Sequence, residues 1–273
     1  MSRLRVALVQ LAADQDVAAN LERASALVER AGETHPDVIA LPELFLFRGP
    51  ASGFRDSATD VPGPVTERFA ELARSLDTWL LLGSLAELSA DTNRPYNTSV
   101  LLDPAGQINA RYRKRHLFDV SIDGGPSDRE SARTTPGSET VVALLEGAAD
   151  EADLRLGMTV CYDLRFPELY RELTLAGASV FAVPANFTEA TGRDHWEVLL
   201  RARAIENGAF VIAPAQCGTG GGVPTHGRTM IVDPWGIVIA QAPDGPGVVV
   251  ADLELDRVAA ARRQIPSGPV ALG

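Results

Sequence analysis

The sequence predicts an α/β domain built in layers, with a mixed β-sheet or two sheets packed together. Three observations lead there. Short apolar runs alternate with amphipathic helical stretches along 273 residues, the pattern of layered α/β domains. Many neighbouring strand-like runs have no helix between them, so they lack the crossovers that a purely parallel sheet needs. No Pro/Ser-rich linker divides the chain, so residues 1–273 are read as one domain.

Each element follows from its local pattern. "RLRVALVQL" reads as a strand, and "VAANLERASALVERAG" as a helix closed by Gly32. "PDVIALPE" is a second strand. "PGPVTERFAELARSL" begins with Pro at a helix N-terminus and carries Val65, Phe69, Leu72 and Leu76 on one stripe. "TWLLLGSLAEL", "YNTSVLLDP" and "GQINARYRK" read as three strands, the last two joined by a turn at Asp103–Gly106. Residues 119–137, polar and rich in Gly, Pro, Ser and Asp, read as a long surface loop, a length often tied to function. Strands are expected at 139–145 and 154–160, then a helix at 167–176 and the strand "ASVFAVPA". The helix "RDHWEVLLRARAIEN" leads to the strand "AFVIAPAQ". After a glycine-rich loop at 218–222 come strands near 226–232, 236–241 and 247–251, and a helix at 254–264.

Composition narrows the partners. A net charge of −11 and a pI near 4.9 argue against nucleic acid or anionic membranes, which need a basic face. Two cysteines, Cys161 and Cys217, make no disulfide framework. The short N-terminal apolar run is interrupted by Gln10 and has no signal-type cleavage site. No run approaches the ~18 apolar residues of a membrane span. A cytoplasmic protein is expected. The four histidines, at 35, 116, 195 and 226, lack metal-ligand spacing, so no metal is expected. "CGTGGGVPTHG" lacks the Gly-Lys-Ser/Thr of a phosphate loop and reads as a mobile surface loop or a lid. Cys217 reads as a packed thiol.

Three positions carry chemistry. Lys114 is the one lysine; the other 24 of 25 basic side chains are arginine. Guanidinium replaces ammonium freely where only charge matters, and fails where a compact point charge is needed. Chance survival on a solvated loop is the alternative. Cys161 ends an apolar strand shortly before a helix with Pro167 in its first turn, the setting of a nucleophile elbow. A helix N-terminus and a cation nearby would lower its pKa; a merely packed thiol is the alternative. Glu43 follows the run Val38–Leu41 and Pro42 among apolar neighbours, a desolvated setting that suits a general base. An edge glutamate paired with an arginine would look the same. Glu43, Lys114 and Cys161 all follow strands, beyond whose carboxyl ends α/β proteins bind ligands. Together they form an acyl-transfer set of base, oxyanion stabiliser and nucleophile.

The same stretches resemble the carbon–nitrogen hydrolase (nitrilase) superfamily, whose catalytic order is Glu–Lys–Cys. "LPELF", "YNTSVLLDPAGQI", "YRKRHLFD", "GMTVCYDLRFPELYREL", "HWEVLLRARAIEN" and "THGRTMIVDPWG" carry the likeness over nearly the whole chain. "CYDLRFPE" with "HWEVLLRARAIEN" and "AQCG" is most similar to the branch that hydrolyses deaminated glutathione, with omega-amidase as a near relative. The resemblance implies a four-layer αββα sandwich of two mixed sheets, a homodimer or higher homo-oligomer, and no cofactor. It also implies roles: Cys161 as nucleophile, Glu43 as base, Lys114 as oxyanion contact, and Glu130 in "DRES" as a support for Lys114. The Tyr162 N–H would be the other oxyanion donor, and Arg165, Phe187 and Thr191 would line the substrate pocket. Arg165 would take a substrate carboxylate, unless it serves a structural salt bridge. The implied activity is hydrolysis of a small carboxylate-bearing amide to carboxylate and ammonia through a cysteine thioester. Another branch (omega-amidase, N-carbamoyl hydrolase or nitrilase) and a non-catalytic interaction module remain open. The end "RQIPSGPVALG" departs from the basic tail of relatives, which touches on assembly.

Overall fold

A computed structural model describes residues 2–121, 127–149 and 154–267. Its first half supplies five of the six strands of one sheet. Strand β1 (Arg3–Gln10) leads to helix α1 (Val17–Gly32), capped by Asp16, whose carboxylate accepts from the Ala19 N–H. Then come β2 (Val38–Ala40), a short helix α2 (Ala51–Asp56), α3 (Pro64–Leu76), β3 (Trp79–Glu87), β4 (Tyr96–Leu102) and β5 (Ile108–Arg113). All nine residues of β3 are buried, as a strand covered on both faces requires.

The polar stretch expected as loop is more ordered than its composition suggests. β6 (Asp119–Ser121) and β7 (Ser127–Arg129) pair antiparallel, and a 3₁₀ turn spans Glu130–Ala132. The part of that expectation on 122–126 lies outside the described residues, as does most of the unusual tail, 268–273. The second sheet uses β8 (Val142–Leu145), β9 (Leu154–Met158), α4 (Pro167–Leu175), β10 (Val180–Ala182), α5 (Glu189–Asn207) and β11 (Phe210–Ala213). β12 (Cys217–Gly218) and β13 (Thr225–His226) close the glycine-rich stretch into a hairpin instead of a loose loop. β14 (Met230–Val232), β15 (Val238–Gln241), β16 (Gly247–Glu254) and α6 (Asp256–Gln264) complete the described chain.

The strand orders are β16-β1-β2-β3-β4-β5 and β15-β14-β11-β10-β9-β8, each mixing parallel and antiparallel pairs. Alternation along β1 shows the layering. Ala7 and Val9 pack with Val28 of α1 and Phe69 of α3, whereas Leu4, Val6 and Leu8 share a cluster with Leu156 and Phe181 of the second sheet. Helices lie outside and two sheets lie face to face, which is the expected four-layer αββα arrangement. The strand expected near 226–232 divides into β13 and β14 around Arg228, whose φ is +59°.

Candidate active site

The three sequence candidates meet at one end of the sandwich. Glu43 is placed by the exit of β2. A Cβ at Gly83 would sit 1.9 Å from the Leu41 carbonyl oxygen, so only glycine lets this chain pass over β3. The turn that follows is pinned by Ser84: its hydroxyl accepts from the Leu44 N–H at 3.0 Å and its carbonyl from the Phe45 N–H at 3.3 Å. Leu44 is held at φ +54°, a costly conformation for a branched residue that persists only where its surroundings enforce it.

Lys114 leaves the end of β5. Its N–H donates to the Asn97 carbonyl at 2.9 Å and its carbonyl accepts from Gly137 at 2.8 Å. Strand alternation sends Tyr112 and Lys114 inward. Arg113 turns out to Glu87, at 2.8 Å, and Arg115 to Glu172, at 2.6 Å. The buried Lys114 ammonium lies 2.9 Å from Glu43 Oε1 and 2.9 Å from Glu130 Oε2. Burial alone would push its pKa down; Glu130 and Glu43 outweigh burial and hold it well above the usual lysine value.

Glu130 comes from the 3₁₀ turn after β7. Its Oε2 also accepts from the Phe118 N–H at 2.6 Å. Asn97 ties the two carboxylates together, donating to Glu43 Oε1 at 3.0 Å and to Glu130 Oε1 at 3.3 Å. The Asn186 N–H donates to Glu43 Oε2 at 2.7 Å.

Cys161 opens a 3₁₀ turn (Cys161–Arg165) between β9 and α4, with φ at +49°. Its N–H donates to the Pro184 carbonyl at 2.9 Å. Asp163, fully buried, fastens the bend. It accepts from the Val160 N–H at 2.9 Å, the His116 N–H at 3.1 Å and the Tyr112 hydroxyl at 2.6 Å. Asp163→Ala would strand those donors in the core. It is expected to cost about 3–5 kcal/mol, read as a lower midpoint in urea unfolding; a loss under ~1 kcal/mol would show the bend holds without it.

One expectation is corrected here. The thiol pKa is raised, not lowered: burial and then the Glu43 carboxylate push it well above the ordinary value, and Lys114 only partly opposes them. The α-helix that follows begins only at Pro167, after the 3₁₀ turn.

Glu43, Lys114, Glu130, Cys161 and Asn186 line a cavity of about 60 Å³ with Phe118, Tyr162, Phe187 and Thr191. Arg165 is not among the lining residues. Its guanidinium lies 5.2 Å from the Phe187 ring centre and 3.2 Å from His195 Nδ1, and among the described residues it has no carboxylate partner. Sequence reasoning missed Asn97, Asn186 and the Arg133–Asp128 pair, which closes at 2.6 and 2.8 Å on the cavity wall. Asn186 had a usable signal: "VPAN" repeats the strand–Pro–polar pattern of "ALPE". Among the described residues, no group of three or more His, Cys, Asp or Glu side chains could hold a metal ion, and no helix is long and apolar enough to cross a membrane.

Known proteins resemble this chain in sequence and in fold. A deaminated glutathione amidase from Synechocystis is 39% identical over 96% of this chain and 95% of its own. The crystal structure of the C. elegans NitFhit protein superposes with a TM-score of 0.88 at 37% identity, covering 97% of this chain; this chain spans 64% of that one. A point mutant of an amidase from Nesterenkonia, 28% identical with a TM-score of 0.77 over 96% of this chain and 97% of its own, shows acrylamide added at its active-site cysteine. The sequence model described as carbon-nitrogen hydrolase matches residues 5–263. The chain belongs to the carbon-nitrogen hydrolase family.

Proposed function

We propose that the protein is an amidase working through a Cys161 thioester without a cofactor, on a carboxylate-bearing amide of the deaminated glutathione type. One observation carries the reading: a buried thiol, a carboxylate and an ammonium line one small cavity, with Glu43 2.9 Å from the Lys114 ammonium and its charge acting on the thiol. Glu43 takes the thiol proton as Sγ attacks the amide carbonyl carbon. Lys114 Nζ and the Tyr162 N–H stabilise the oxyanion that forms. When the intermediate collapses, the C–N bond breaks and the amine leaves with the proton from Glu43. Glu43 then deprotonates water, which attacks the thioester; the acid departs and the proton returns to sulfur. Glu130 and Asn97 position Lys114 and Glu43. Phe187 and Thr191 shape the acyl side of the pocket, and Arg165 stands behind Phe187 at its border.

The leaving group differs from the one first expected. Deaminated glutathione contains no primary amide, since its amide nitrogens belong to the cysteinyl and glycyl residues. Its hydrolysis yields a dipeptide amine; among amides, only primary ones release ammonia. The test is incubation with deaminated glutathione followed by mass spectrometry of the products. Wild type is expected to form the 2-oxo diacid and cysteinylglycine; Cys161→Ala is expected to form neither. No product from wild type, with turnover of primary amides or nitriles instead, would reject this substrate and move the protein to another branch of the family. No turnover of any amide, carbamoyl compound or nitrile would favour an interaction module.

A further inference from the structure

The catalytic cavity adjoins a larger one of about 160 Å³. Leu44, Phe118, Glu130, Arg133 and Asn186 line both. Arg48 belongs to the larger cavity alone and is only 4% exposed. Its Nη1 donates to the Cys217 carbonyl at 3.3 Å and its Nη2 to the Val223 carbonyl at 2.9 Å. Among the described residues no carboxylate pairs with it.

The other cations nearby are neutralised. Arg133 is held by both oxygens of Asp128, and Lys114 by Glu43 and Glu130. Arg48 is thus the cation of this cavity that, among the described residues, has no carboxylate in ion-pair reach; burial draws its pKa down to about 10, with Cys217 and Glu43 pulling the other way. Two polar atoms on the same wall also lack a partner, Thr134 Oγ1 and Asn186 Oδ1. Buried polar atoms usually find a partner, ordered water included, so the Thr134 hydroxyl is free to donate to a ligand in this space.

The glycine-rich stretch explains how the space stays open. Gly220 and Gly221 lie against Arg48, and a Cβ at Gly220 would come within 3.2 Å of Nη1 and 1.7 Å of the Ala13 carbonyl oxygen. Gly221 is held at φ +70°. The chain closes over the guanidinium without a side chain filling the cavity.

We propose that this second cavity receives a distal carboxylate of the substrate, with Arg48 as its anchor and the Thr134 hydroxyl as a second donor. The inference rests on the amidase reading and narrows it to amides of elongated acids with a carboxylate several bonds from the scissile carbonyl. A cationic tail would be repelled by the guanidinium, and a neutral one would gain no ion pair from it. A carboxylate pairs with its planar fork.

The test compares glutaramate with pentanamide, the same chain ending in a carboxylate or a methyl group. Both release ammonia. Wild type is expected to favour glutaramate about ten- to a hundred-fold in kcat/KM, the range of a charge-assisted contact. In Arg48→Met that ratio falls toward one, through a higher KM for glutaramate; Arg48→Lys, which keeps the charge and loses the fork, falls between. A ratio unchanged in Arg48→Met, with both substrates impaired alike, would overturn the subsite and leave Arg48 a structural role. Should wild type turn over neither amide, the amidase reading fails separately, and calorimetric titration with glutaramate decides the subsite. Binding weakened at least about tenfold by Arg48→Met sustains it; absent or unaltered binding overturns it.

Discussion

Cys161→Ala is expected to lower amide turnover by roughly 10⁶, the scale on which a covalent nucleophile is lost. Glu43→Gln should cost about 10²–10⁴, the range of a general base. The physical reason lies in the resting protonation state. Burial and the Glu43 carboxylate hold the thiol above its ordinary value, so at neutral pH the sulfur keeps its proton and needs a base beside it. Alkylation of Cys161 by iodoacetamide should therefore keep accelerating as pH rises past the usual thiol value of 9.0. A plateau reached by about pH 7 would indicate a preformed thiolate and remove the need for Glu43. Turnover of Cys161→Ala within tenfold of wild type would take this residue out of the chemistry altogether.

Lys114→Ala should lower kcat by about 10²–10³, the usual cost of one lost oxyanion donor. It should also cost about 3–5 kcal/mol of stability, because two buried carboxylates lose the cation between them. Lys114→Arg separates the two effects. It restores charge to Glu43 and Glu130 yet replaces a point charge with a wide planar group. Urea unfolding should place Lys114→Arg nearer wild type than Lys114→Ala, while its turnover stays far below wild type. Near wild-type turnover by Lys114→Arg would show that only the charge matters at this position.

Much of this arrangement was legible in the sequence because it depends on local pattern. β3 announces itself by an apolar run, α3 by its Pro and apolar stripe, and Glu43 by a carboxylate set after a buried strand. Cys161 is marked by its place between β9 and α4. Glu130 was different. Its surroundings are polar, and without a family resemblance it reads as a solvated loop charge; only the pairing of β6 with β7 brings it to Lys114. Arg48 gives even less sign of itself, since its neighbours across the cavity come from chain 170 or so residues away. The raised thiol pKa is hidden from the sequence for a related reason. Charge neighbours can be guessed from sequence, whereas complete burial beside a carboxylate is a tertiary property.

The solitary buried lysine gives the protein a built-in reporter. A lysine-specific protease has one bond to cut in this sequence, after Lys114. In the folded chain that side chain is 2% exposed and held by two carboxylates. The bond becomes cleavable only when this part of the sandwich opens, so one cleavage rate measures the free energy of opening at the chemistry itself. A substrate that fills the cavity would slow the cut in proportion to its affinity for the closed form. The one lysine thus makes the opening of its own surroundings countable, without any added label.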